Sequence, residues 1–152
     1  NNGNKILWCG NGGSAGQAQH LSTELVCGLR SHDRVALPSL SLTTDTSLIT
    51  AWANDIDYYT VFARQVEALG KTGDVLIAIS TSGNSRNVIE AVKKAKQIGI
   101  ITIGLISDQQ CKMREFCDLN ISVPSDDTQR IQEGHILIGH IICELVENEF
   151  LI

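Results

Sequence analysis

Two rhythms of apolar residues alternate along this chain. Short unbroken runs read as buried strands, and longer stretches with apolar residues at i, i+3 and i+4 read as helices. On that pattern Lys5–Gly10, Ser39–Thr43, Asp74–Ile79, Ile100–Leu105 and Leu119–Val123 are strands. Between them fall the helices Ser14–Val26, Thr46–Ala53 (with Asp45 as its cap), Tyr58–Leu69 (stopped by Gly70), Ser85–Ile98 and a short Cys111–Phe116. One long helix from Thr128 to about Phe150 closes the chain. Strand–helix alternation with strands apolar throughout predicts a parallel sheet covered on both faces. The expected fold is therefore α/β, a three-layer α/β/α sandwich around a five-stranded parallel sheet, flavodoxin-like, as one domain over residues 1–152. In such folds ligands gather at the carboxyl ends of the strands.

Two loops at strand carboxyl ends carry unusual chemistry. After the third strand comes Ser80-Thr81-Ser82-Gly83-Asn84-Ser85, with four hydroxyls in six positions where a helix begins. One hydroxyl satisfies a helix cap. Four, set beside free N–H groups and the positive end of a helix dipole, suit a phosphate. After the first strand comes Gly10-Asn11-Gly12-Gly13-Ser14-Ala15, which formally matches the dinucleotide fingerprint. A dinucleotide site gives no reason for the second, hydroxyl-rich loop; a phosphorylated sugar spanning both loops explains the pair.

The chain has 152 residues, 43% of them hydrophobic, enough for one good core and too few for two ordinary domains. A net charge of -5 with no Lys/Arg run excludes a nucleic-acid surface. No apolar run is long enough for a membrane span, and no secretory signal opens the sequence, so a cytoplasmic protein is expected. Five cysteines without a C-x-x-C pair fit reduced, mostly structural thiols.

Polar residues on the first and last helices need an explanation. His20 and Glu24 are spaced i,i+4 and share a helix face. In the last helix, Gln132 and His140 are about 80° apart around the axis and can converge, whereas His135 and His140 are about 140° apart and cannot readily share a ligand. Each His alone reads as a core or interface residue. As a set, His20, Glu24, Gln132 and His140 offer mixed nitrogen and oxygen donors for zinc or a similar ion, and also a carboxylate–imidazole pair for moving protons. Asp55 is a further acid near a helix end, where a turn role is equally open.

The order of Gly10–Ser14, His20-x-x-x-Glu24, Leu42-Thr-Thr-Asp45, Asn54-Asp55, Phe62-Ala-Arg-Gln-Val, Ser80–Ser85 and Arg130-Ile-Gln-Glu-x-His135-x-x-x-x-His140 resembles that of the phosphoheptose isomerases, which are sugar isomerase (SIS) domain proteins. The resemblance covers essentially the whole chain. It implies conversion of sedoheptulose 7-phosphate to D-glycero-D-manno-heptose 7-phosphate through an enediol, early in the supply of heptose for lipopolysaccharide or related bacterial glycans. By the same resemblance Glu24 and His140 are the catalytic acid/base pair, and His20, Glu24, Gln132 and His140 are zinc ligands. Asn11, Gly12, Gly13, Ser14, Asp55, Ser80, Thr81, Ser82, Ser85 and Gln132 are implied to bind substrate. A homotetramer with interface active sites is implied, together with N-terminal helices upstream of Asn1.

The sequence departs from some relatives near Arg30, which follows Gly28 by two positions rather than one, and at Gln129, where some carry an Asp; Asp126 or Asp127 would replace it only after a loop shift. Rival readings are a non-catalytic SIS adaptor that binds the replication initiator protein, a phosphosugar-sensing module, and a dinucleotide enzyme. Relatives of the adaptor kind lack the Glu and the second His, and both are present here.

Overall fold

A computed structural model describes residues 3–151. The elements run β1 (Ile6–Cys9), α1 (Gly13–Cys27), β2 (Ser39–Ser41), α2 (Thr46–Asp55), α3 (Val61–Leu69), β3 (Val75–Ile79), α4 (Arg86–Ile98), β4 (Ile101–Ser107), a 3-10 turn (Lys112–Glu115), β5 (Leu119–Val123) and α5 (Thr128–Asn148). All five strands pair in parallel, in the order β2-β1-β3-β4-β5. The expected three-layer sandwich is thus the observed one.

Helix boundaries follow local chemistry. Asp45 caps α2 by accepting from the Leu48 N–H at 2.9 Å, as its sequence position predicts. The third helix starts at Val61 rather than at Tyr58. Asp57 accepts from the Thr60 N–H at 2.7 Å and from the Thr60 hydroxyl at 2.9 Å, so Tyr58 and Tyr59 lie in a turn before the helix.

Strand side chains alternate between two cores, which is why the strands read as continuous apolar runs. Leu7, Cys9, Leu76 and Ala78 face α3 and α4, where Phe62, Val66, Val88 and Val92 meet them. Trp8, Ile77 and Ile79 face α1 and α5, against Leu21, Leu25 and Cys143. All five cysteines are free, and burial pushes the Cys143 thiol up to about 12, the behaviour of a small core residue. Among the described residues no helix is long and apolar enough to cross a membrane.

Helices α1 and α5 lie side by side and run in the same direction, Gly13 opposite Gln132 and Leu21 opposite Gly139. Their approach depends on glycine: a Cβ at Gly139 would stand 2.3 Å from Leu21 Cδ1, and Leu21 is fully buried. Below that contact a buried ion pair ties both helix ends to the loop that follows α1. Glu147, 1% exposed, accepts from Arg34 Nε at 2.7 Å and from the N–H groups of Leu29, Arg30 and Ser31. Arg34 also donates to the Glu24 carbonyl at 2.9 Å. Burial alone would raise the Glu147 pKa, but the bonds from Arg34 and the three N–H groups hold it down, at about 2.

Two outcomes follow from this seam. Gly139→Ala gains about 1 kcal/mol of helix propensity but overpacks Leu21, for a net loss of about 1–2 kcal/mol and a fall of several degrees in thermal midpoint. An unchanged or raised midpoint would mean the helices have room to spare. Glu147 stabilises the fold above its ordinary pKa of 4.5, and that stabilisation, roughly 3 kcal/mol, disappears as pH falls towards 2. In denaturant titrations between pH 6 and 2, Glu147→Gln should therefore start about 3–5 kcal/mol less stable and lose less on acidification than the parent protein.

Candidate active site

The strand order reverses between β1 and β3, so the crevice of this sheet opens where the loops after those two strands meet. Close approach shapes both loops. A Cβ on Gly10 would lie 2.8 Å from Ser14 Cβ and 3.0 Å from the Ile79 carbonyl, and Gly12, at φ +54°, turns the chain into α1. In the β3 loop Gly83 has φ +60°, and a Cβ there would stand 2.3 Å from Cys111 Sγ.

The hydroxyls of this second loop divide their work. Ser80 Oγ accepts from the Gly83 N–H at 3.1 Å and lies 3.1 Å from Ser85 Oγ. Ser82 Oγ accepts from the Asn84 N–H at 3.2 Å. Ser85 sits at the N-cap of α4, yet its side chain makes no capping bond. A loop braced by its own hydroxyls at an α4 terminus without a side-chain cap is well suited to an anion, since the helix start offers N–H groups and a positive dipole end. Thr81 is half-buried and Ser82 exposed at the rim.

Side-chain amides connect the two loops. Asn11 and Asn87 exchange reciprocal hydrogen bonds of 2.8 Å, and Tyr58 donates its hydroxyl to Asn11 Oδ1 at 3.0 Å. Sequence reasoning gave Asn11 a substrate contact and overlooked Asn87 and Tyr58. Asn87 was hidden inside the apolar pattern of α4, and its one signal was an Asn just behind a hydroxyl-rich helix start.

The seam between α1 and α5 supplies the titratable groups. Gln17 Nε2 donates to the Gln132 carbonyl at 2.7 Å, and the Gln132 side chain lies over Gly13. Further along both helices, His20 Nε2 and His140 Nε2 are 2.8 Å apart, with Glu24 Oε1 3.3 Å from His20 Nε2. The two rings meet edge to face. One ligand atom from each of these three residues lies within 4.8 Å of the others. Two imidazole nitrogens and a carboxylate oxygen converging in this way are a donor set that fits a divalent ion such as zinc. The same convergence places an acid and a base within reach of one small molecule. A shallow cavity of about 330 Å³ lined by Leu29, Arg30, His140 and Glu144 borders the group.

Other sequence-selected residues lie elsewhere. His135 is fully buried and faces the sheet, its Nε2 3.0 Å from the Ile106 carbonyl, in line with the angular separation from His140. Asp55 ends α2, exposed, and accepts from its neighbour Asn54 at 2.8 Å. Ser14 is buried in the first turn of α1. Gln132 stands two turns of α5 from His140, about 12 Å along the axis. Arg30 pairs with Glu144 at 2.8 Å beside the cavity, and Asp127 caps α5 by accepting from the Gln129 N–H at 2.9 Å.

Comparison with known proteins shows the family. The family model described as "SIS domain" matches residues 1–107. The chain is 58% identical to the phosphoheptose isomerase of Aliarcobacter butzleri, over 97% of its own length and 78% of that protein's. It is 54% identical to the phosphoheptose isomerase of Clostridium acetobutylicum, over 97% of its own length and 74% of that protein's. Among solved structures, a phosphoheptose isomerase from Francisella tularensis superposes with a TM-score of 0.93 at 37% identity, covering 97% of this chain and 78% of that one. With these identities over nearly all of its length, the chain belongs to the phosphoheptose isomerases, a family of SIS-domain proteins.

Proposed function

We propose that this protein, as one SIS-domain unit, interconverts sedoheptulose 7-phosphate and D-glycero-D-manno-heptose 7-phosphate in the cytoplasm, in the supply of heptose for lipopolysaccharide-type glycans. The observation that carries the reading is the convergence of Glu24, His20 and His140 on the α1–α5 seam, near loops suited to a sugar phosphate. The sugar phosphate group sits in the loop of Ser80, Thr81, Ser82 and Ser85, at the positive end of α4. Gly12, Gly13, Ser14, Asp55 and Gln132 are the proposed contacts along the sugar, with Asn11 at their edge. Anchoring the remote phosphate orients the reacting carbons, so binding energy far from the reaction lowers its barrier.

The chemistry moves one proton between carbons and one between oxygens. Glu24 takes a proton from C1 of the ketose as His140 donates one to the C2 oxygen. The C1–H bond breaks and a C1–C2 double bond forms, giving the enediol. Glu24 then returns its proton to C2 while His140 removes the proton from the C1 oxygen, leaving the aldehyde. His20, Glu24 and His140 are the residues that would hold a zinc ion; Gln132, expected from the sequence as a fourth donor, stands two turns of α5 from His140 with its side chain over Gly13. Held by those three residues, the ion would supply positive charge beside the substrate oxygens.

The outer face of α5 supports assembly. Leu137, Ile141 and Leu145 recur at i, i+4 and i+8 and are 61%, 47% and 62% exposed. A stripe of that kind is unusual on a free surface and fits a subunit contact, in line with a homotetramer.

Turnover of sedoheptulose 7-phosphate by the purified protein tests the reading. Glu24→Gln and His140→Ala should each lower kcat by about 10²–10⁴-fold, and full activity in either would remove that residue from proton transfer. In calorimetric titrations the chelated protein should bind zinc, and His20→Ala should weaken that binding by at least about tenfold. Equal affinity in the variant would take His20 out of the ligand set.

A further inference from the structure

The substrate of the proposed reaction must bridge two elements that share no covalent rigidity, the β3 loop that grips its phosphate and the helix α1 that carries Glu24. Between them stands a polar clasp. Asn87, 3% exposed, donates to Asn11 Oδ1 and accepts from Asn11 Nδ2, both at 2.8 Å, and its Oδ1 also accepts from the Val88 N–H at 3.0 Å. Asn11 Oδ1 takes a second bond from the Tyr58 hydroxyl. The turn that carries Tyr58 is fastened to α4 from the other side as well, because the Arg86 guanidinium lies 4.2 Å over the ring of Tyr59. Asn11 immediately precedes the turn into α1, accepting from the Ser14 N–H at 3.0 Å, and α1 is continuous from Gly13 to Cys27. A displacement at Asn11 is therefore carried along a rigid helix to Glu24.

Resting on the isomerase reading, we propose that Asn87 is a positioning residue of the reaction. Through the amide pair with Asn11 it fixes the span between the phosphate loop and Glu24, and so determines which carbons of the sugar lie at the base. Buried behind the loops, it reaches the substrate only through Asn11. The pair acts as one unit, with Asn11 as the second half of the clasp. Two amides exchanging two hydrogen bonds hold a distance and an angle together, which one bond cannot do.

A double-mutant cycle decides the matter. Asn87→Ala, Asn11→Ala and the double variant are compared for kcat and KM with sedoheptulose 7-phosphate, and for inhibition by inorganic phosphate. Each single variant should lose roughly 10- to 100-fold in kcat while phosphate inhibition changes less than about threefold, since misplacement touches the reacting carbons and leaves the anion site intact. The double variant should be no worse than the poorer single. Asn87→Asp, of the same shape but without the donor to Asn11, should show the same kcat loss if the alanine variants fold poorly. Losses that multiply in the double variant, or phosphate inhibition that weakens as much as kcat falls, would overturn the proposal. If the unmodified protein binds the phosphosugar without turning it over, the isomerase reading fails by itself. The same cycle read in the phosphosugar Kd then judges the clasp, non-additive losses supporting it and additive ones refuting it.

Discussion

The close contact of α1 with α5 is the constraint on which the rest of the site depends. Glycine at position 139 lets Leu21 seat against the facing helix, and only at that separation do His20 and His140 come within 2.8 Å. Neither helix alone carries more than an ordinary scatter of polar residues. The seam also explains why Glu147 and Arg34 are buried as an ion pair. The loop after α1 must return to the sheet across the end of α5, and its N–H groups find a carboxylate there instead of water. Burying a charge is tolerable here because Glu147 has four donors around it.

At the other end of the crevice the same economy of charge applies. The chain carries a net charge of -5, and its candidate anion loop uses hydroxyls, N–H groups and a helix dipole in place of a lysine cluster. Neutral donors in fixed positions suit an anion without an excess of local positive charge. Gly83 makes that fixed shape possible, since a side chain there would collide with Cys111 beneath the loop.

Much of this was legible in the residues themselves. Unbroken apolar runs located the strands, the central β1, β3 and β4 being buried on both faces, and 3.6-period spacing located the helices. The i,i+4 pair of His20 and Glu24 could be placed on one face by counting, and the angular argument separated His140 from His135, whose ring turns to the sheet at Ile106. What the sequence hides is pairing over long separations. Arg34 and Glu147 are 113 positions apart, and Asn11 and Asn87 are 76 apart, with nothing local to mark either bond. The start of α3 was misjudged for a related reason: Asp57 satisfies Thr60, and that competes with one more helical turn.

The central claim is that Glu24 and His140, brought together by this seam, move a carbon-bound proton. Glu24 and His140 are only partly buried and His20 is exposed, so a proton held on Glu24 can exchange with water before it is returned. The most direct measurement is turnover of sedoheptulose 7-phosphate in deuterium oxide, with the heptose product followed by proton NMR. The account predicts deuterium at C2 of the aldose. Deuterium entering that carbon as fast in Glu24→Gln as in the parent protein would contradict proton transfer through these residues.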